Sequence, residues 1–222
     1  MKLAIVGYGK MGQMIERFAP EHGFTIHARI NNAGELQHAD GADVAVDFTN
    51  ANAVSSNVET LAAMKIPLVV GTTGWLAEME QVRATVKRHQ SGLVWSANFS
   101  IGVNIFARLV EESARLMAAR DEYGAWAWEI HHAAKKDSPS GTLLKLVNAM
   151  GKAGYTYPIN QASSRVGYVP GTHEIGFDSA ADTITLRHTA RSREGFATGA
   201  LKAAQWIIGK KGFHEFTEVI FT

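Results

Sequence analysis

The segment Glu129-Ile130-His131-His132-Ala133-Ala134-Lys135-Lys136-Asp137-Ser138-Pro139-Ser140-Gly141-Thr142 carries the densest chemistry in the chain. An imidazole exchanges its proton near neutral pH, and a lysine ammonium stabilises negative charge that builds on a substrate. His131 and His132 end an alternating apolar stretch, and a turn through Pro139 leads into an expected helix beginning at Ser140-Gly141-Thr142. The first N–H groups of a helix lack internal partners, so Gly141 and Thr142, with two hydroxyls beside them, form a ready carboxylate seat. Lys135 and Lys136 add positive charge there. A substrate bearing carboxylates fits this arrangement better than a neutral one.

Each piece also fits an ordinary role: Ser140 as a plain helix cap, the lysines as a solvated face, a histidine packed at a strand end. In a regular strand His131 and His132 face opposite sides, so both reach one pocket only through a twist or bulge. Adjacent histidines chelate poorly and no third ligand is evident nearby, so no metal site is assigned.

A second motif opens the chain. Gly7-Tyr8-Gly9-Lys10-Met11-Gly12 has GxGxxG spacing, follows the apolar run Leu3 to Val6 directly and begins an amphipathic stretch. In that context Gly7 permits a tight strand-to-helix turn, Gly9 lets backbone N–H groups approach a pyrophosphate, and Gly12 lets the helix pack close to the sheet. The acid expected at the end of the second strand is missing: the stretch reads His27-Ala28-Arg29-Ile30-Asn31-Asn32. Asn31 and Asn32 suit a hydroxyl or a phosphate, and Arg29 suits a 2′-phosphate unless it points away. Tolerance of both NADH and NADPH is therefore expected. Gly71-Thr72-Thr73-Gly74 closes the fourth candidate strand, where such a sheet presents its carboxyl ends, and equally fits a plain β-to-α turn.

These groups need a scaffold. Strands are predicted at Leu3 to Val6, Phe24 to Ile30, Asp43 to Phe48, Pro67 to Gly71 and Gly92 to Trp95, alternating with helices at Met11 to His22, after Asn50, and from about Leu76 to His89. That alternation is the pattern of a parallel α/β sheet. After Ser100 a long helix runs to about Arg120. Ala125 to His132 then alternates with a period of two, as do His173 to Phe177 and Thr183 to His188, which predicts a mixed or antiparallel sheet. A final helix is expected over Glu194 to Ile208.

With 222 residues, 46% of them hydrophobic, the chain can bury a substantial core. The absence of cysteine excludes disulfides and thiolate chemistry and suits a reducing cytoplasm. A formal charge of +1 lacks the basic footprint of a nucleic-acid binder. No stretch approaches the ~20 apolar residues of a membrane span. A cytoplasmic protein with neither a nucleic-acid nor a membrane partner is expected.

The segment from His131 to Thr142 resembles the signature of the dihydrodipicolinate reductase family: a His-His pair, a lysine three positions later, then Asp-x-Pro-Ser-Gly-Thr. His131, His132, Lys135, Asp137, Pro139, Ser140, Gly141 and Thr142 all match. The similarity extends over the chain, through Gly7 to Gly12, Asp47-Phe48-Thr49, Gly71 to Gly74, Ala97 to Asn104, His188 to Arg193 and Phe196 to Ala200. The resemblance implies an α/β protein with an N-terminal Rossmann dinucleotide-binding domain, 1–101 plus 192–222. It also implies a second, α+β substrate and oligomerisation domain on a mixed sheet, 102–191. It implies NADH- or NADPH-dependent reduction of a cyclic unsaturated dicarboxylate, with hinge closure between domains, commonly in a homotetramer.

By the same resemblance His131 and Lys135 are the catalytic candidates, and His132, Lys135, Ser140, Gly141 and Thr142 hold the dicarboxylate. Gly7, Gly9, Lys10, Met11, Gly12, Asn31, Gly71, Thr72, Thr73, Ala97, Asn98, Phe99 and Arg193 are the cofactor candidates. Two departures stand out: only Ala33 to Ala42 separates the second and third strands, and Ala133 and Ala134 replace larger polar residues. Another two-domain Rossmann dehydrogenase, or an NAD(H)-binding regulator without turnover, would explain the glycine loop but not the His-His-Lys-Ser-Gly-Thr group.

Overall fold

The computed structural model describes residues 1–221. The chain divides into two compact units, one of residues 1–101 with 194–222 and the other of residues 102–193. In chain order the first unit begins with β1 (Lys2–Val6), α1 (Lys10–Phe18), β2 (Thr25–Ile30), β3 (Val44–Asp47), α2 (Val54–Ala63), β4 (Leu68–Val70), α3 (Met79–Arg88) and β5 (Gly92–Trp95). Helix α4 (Ile101–Met117), β6 (Gly124–His131), α5 (Gly141–Lys152), β7 (Ile159–Arg165), β8 (Thr172–Asp178) and β9 (Thr183–Thr189) follow. The chain then returns through α6 (Glu194–Ile207), β10 (Gly212–Glu215) and α7 (Phe216–Ile220) to the first unit.

The first unit carries a six-stranded parallel sheet in the order β10-β5-β4-β3-β1-β2. This is the Rossmann order with one outer strand fewer beyond β2. The short segment after β2 is the reason, because Ala33–Ala39 folds as a 3-10 turn and leaves no room for a crossover helix and strand. Strand residues alternate between two buried faces. Leu3, Ile5, Val44, Val46, Val69 and Val94 pack against α1 and α6, while Ala4, Val6, Ala45, Leu68, Val70 and Leu93 meet α2 and α3. Burying each branched side chain stabilises by about 1.5–3 kcal/mol, which is why these strands read as continuous apolar runs.

Helix α1 ends at Phe18 rather than at His22, since Pro20 lacks the N–H that would continue it and opens a separate 3-10 turn. Strand β10 and helix α7 escape the sequence pattern because both are very short.

The second unit carries a four-stranded mixed sheet, β7-β6-β8-β9, with β7 parallel to β6 and the other pairs antiparallel. Helices α4 and α5 cover one face, where Phe106, Val110, Leu143, Leu146 and Met150 meet Ala125, Ala127, Ile175 and Phe177. On β6 the buried positions are therefore Ala125, Ala127, Glu129 and His131, while Trp126, Trp128 and Ile130 lie half-buried on the opposite face. Large residues face out because the helices lie close over this strand. Trp126 spreads over Gly176, where an added Cβ would stand 2.0 Å from its ring.

Candidate active site

The second unit assembles its polar cluster on the helix-covered face of the sheet. Glu129 and His131 are two residues apart on β6 and share that face. Glu129 is completely buried, and its carboxylate is fully used. One oxygen accepts from Arg165 Nη2 at 2.8 Å and from the Ser140 backbone N–H at 3.1 Å, and the other holds His131 Nδ1. Burial pushes this carboxyl up, but the donors led by Arg165 outweigh it and hold it below the ordinary range. A carboxylate only accepts, so Nδ1 of His131 carries the proton and Nε2 is the free nitrogen of the neutral ring. Burial lowers the His131 pKa, against the pull of Glu129 and with the help of the nearby Lys135 and Arg165 charges.

His131 and His132 separate as strand geometry requires: His131 is buried and His132, just past the strand, is half-exposed. Lys135 stands in the following turn with its ammonium 2.7 and 2.9 Å from the two oxygens of Asp137. Asp137 also receives the Gly141 N–H at 3.4 Å, so one carboxylate already sits between Lys135 and the start of α5. Ser140 is a true N-cap, accepting from Leu143 N at 3.2 Å, and its hydroxyl lies 3.2 Å from His173 Nε2. Gly141 has open space where a Cβ would stand, and Thr142 is half-exposed.

The sequence reading gave no role to Glu129, Arg165 or His173. His173 lies on β8, buried, with its ring 5.1 Å from that of His131, and burial together with His131 lowers its pKa to about 4. Glu129, His131 and His173 bring ligand atoms within 4.8 Å of one another. Both Glu129 oxygens are engaged, one by a guanidinium, so the group works as a hydrogen-bonded network rather than as a cation cage. Arg165 also donates to the Asp137 carbonyl, tying β7 to the Lys135 turn.

The first unit sets its loops along the carboxyl edge of the parallel sheet, with Gly7, Asn31, Thr49, Gly71 and Ala97 following the ends of successive strands. Gly7 has φ +90°, and a Cβ there would lie 2.4 Å from Phe48 O; on Gly12 it would lie 2.4 Å from Gly7 O. Gly9 is different, with nothing within 4 Å of that position and no side chain capping α1. The open approach to a helix N-terminus fits the pyrophosphate of a dinucleotide. Lys10 is exposed, while Met11 packs partly into the core.

Buried Asp47 orders two of these loops. Its carboxylate accepts from Thr49 N at 3.0 Å, Thr49 Oγ1 at 2.7 Å, Thr72 Oγ1 at 2.8 Å and Asn57 Nδ2 at 2.8 Å. Thr72 thus turns its hydroxyl inward, whereas Thr73 is exposed. Phe99 gives its ring to the core against Phe48 and Phe216, leaving its backbone, with Ala97 and Asn98, on the loop. Arg29 points to Glu16, which it grips through two nitrogens. Arg193 is exposed and belongs to the second unit.

Among the described residues no helix is long and apolar enough to cross a membrane. The N-terminal model of dihydrodipicolinate reductase matches residues 1–99 and the C-terminal model residues 102–220. The chain is 34% identical to the 4-hydroxy-tetrahydrodipicolinate reductase of Christiangramia forsetii, covering 99% of this chain and 98% of that one. It is 35% identical to that of Methanoregula boonei, over 99% and 97%. A solved dihydrodipicolinate reductase from Paenisporosarcina sp. TG-14, with dipicolinate bound, superposes at a TM-score of 0.80 with 21% identity and 97% of both chains covered. With both halves of the fold and nearly its whole length matched, the chain belongs to the dihydrodipicolinate reductase family of oxidoreductases.

Proposed function

We propose that this protein is a 4-hydroxy-tetrahydrodipicolinate reductase, reducing a cyclic unsaturated dicarboxylate to tetrahydrodipicolinate in the diaminopimelate route to lysine. The observation that carries the reading is the Asp137 carboxylate, held at once by the first N–H of α5 and by the ammonium of Lys135, whose charge also acts on His131. A seat that holds one carboxylate there suits a substrate carboxylate that replaces it. By the family resemblance Ser140, Gly141, Thr142 and His132 would complete that seat.

A bound dihydronicotinamide supplies the hydride, and Gly7, Gly9, Gly12 and the loops around Asn31, Thr73 and Ala97 are the residues that would hold it. The second unit supplies charge and a proton. Lys135 offsets negative charge on the substrate. His131 gives the proton from Nε2 once it has become an imidazolium, and Glu129 favours that state by accepting from Nδ1. The half-buried Trp126, Trp128 and Ile130, on the sheet face away from α4 and α5, form the surface through which copies would associate into a homotetramer. A cysteine-free chain suits the reducing cytoplasm in which we place it.

The test is oxidation of NADH and NADPH by the purified protein with freshly generated substrate, comparing wild type with His131→Ala and Lys135→Ala. Turnover that collapses in both variants while dinucleotide binding survives is the expected result. Dinucleotide binding without turnover in the wild type would refute the reductase reading and leave a sensor or another dehydrogenase.

A further inference from the structure

The glycine-loop fingerprint normally carries an acid at the end of the second strand, and this chain has Asn31 and Asn32 there. A carboxylate nevertheless occupies that place. The 3-10 turn Ala33–Ala39 folds back on the end of β2, so that Glu35 Oε2 accepts from the Asn31 backbone N–H at 3.0 Å and Oε1 accepts from Asn32 Nδ2 at 2.7 Å. Asn31 in turn accepts the Tyr8 N–H at 3.2 Å through Oδ1, and Gly7 N donates to Ile30 O at 2.8 Å. Glu35 is thereby linked through one residue to the glycine loop itself. Its carboxyl is lowered by the Asn31 N–H first and the Asn32 amide second, so it stays ionised. Each carboxylate oxygen keeps a further lone pair after these bonds, enough to receive hydroxyl donors.

The cation that the sequence offers for a 2′-phosphate, Arg29, is engaged elsewhere. Arg29 is committed to Glu16, whose carboxyl is held at about 2 by Arg29 and then Tyr8. Lys10 stands one position after Gly9, at the pyrophosphate end of the loop.

We infer that Glu35 replaces the missing acid of the fingerprint, accepting the ribose hydroxyls of the adenosine half and repelling a 2′-phosphate, so that the protein prefers NADH to NADPH. This presupposes that the glycine loop binds a nicotinamide dinucleotide. It narrows the tolerance of both cofactors expected from the sequence. A unit charge facing a doubly charged phosphate a few ångströms away in water is worth roughly a tenfold difference in affinity.

The experiment is direct titration of the purified protein with NADH and with NADPH, followed by nucleotide fluorescence and calorimetry without substrate, for wild type, Glu35→Gln and Glu35→Ala. Glu35→Gln keeps an oxygen for the Asn31 N–H, removes the charge and turns an NH2 group towards Asn32. The expected result is a wild-type preference for NADH of about tenfold or more, reduced about tenfold in both variants. Equal wild-type affinities, or a ratio unchanged in both variants, would overturn the role of Glu35 while leaving the dinucleotide site standing. Failure of the wild type to bind either nucleotide would overturn both.

Discussion

Replacing Glu129 by Gln tests the network beneath His131. Glutamine keeps the shape and one acceptor oxygen, which Arg165 and the Ser140 N–H can still share, but it removes the charge and turns an NH2 group toward one neighbour. Arg165 has 18% of its side chain exposed and Glu129 none, so the guanidinium loses its counter-charge with little water to replace it. Removing one partner of a buried pair costs about 3–5 kcal/mol; with one acceptor retained and Arg165 partly wet, the low end, about 3 kcal/mol, is expected. In a chain of this size each kcal/mol shifts the melting temperature by about 2–4 °C, so a fall of roughly 6–12 °C should appear by scanning calorimetry.

Stability alone would not distinguish a structural carboxylate from one that sets the imidazole. The second readout is the 15N spectrum of His131. In the wild type the proton sits on Nδ1; in Glu129→Gln the tautomers should mix and the His131 pKa should fall further, since an opposing pull on it is lost. The double variant Glu129→Gln/Arg165→Met should regain part of the lost stability, because the orphaned charge is gone, but not the wild-type tautomer. A Glu129→Gln protein as stable as wild type, with His131 unchanged, would refute this account of the site.

Three further outcomes follow from the same geometry. His173 has a folded pKa of about 4, below its unfolded value of about 6.5. Its contribution is therefore intact above pH 6.5 and lost as pH falls towards 4, amounting to about 3 kcal/mol, which urea titrations at pH 7, 5.5 and 4 with and without His173→Gln would measure. Ser140→Ala removes the α5 cap and should cost about 1 kcal/mol, read by chemical denaturation, together with loss of the His173 Nε2 contact. Gly12→Ala would place a Cβ 2.4 Å from Gly7 O, so nucleotide binding measured by titration should be lost at a stability cost of about 1–3 kcal/mol.

How much of this could be read from the chain depends on whether a feature repeats along the sequence or arises across it. Strands β1, β3, β4 and β5 announce themselves because both faces are buried, which forces apolar runs, whereas the edge strand β2, TIHARI, shows a weaker alternation. Strand β7, INQASSR, gives no such signal: it is an edge strand, and most of its residues are polar. Yet it delivers Arg165 to Glu129, a partnership of two residues 36 positions apart that only the pairing of β7 with β6 creates. Glu129 itself was accessible to period-two reasoning, for it lies two residues before His131 and must share its face. What hid it is that a period of two does not say which side of β6 is buried, and Trp126, Trp128 and Ile130 compete for that place with Ala127 and Glu129. In this sheet the inward side is the one with small and charged residues, because α4 and α5 press close and the end of the strand must house a buried carboxylate. A strand whose large residues face outward is thus itself a sequence signal: its other face holds either a tight helix contact or a polar site, and in β6 it holds both.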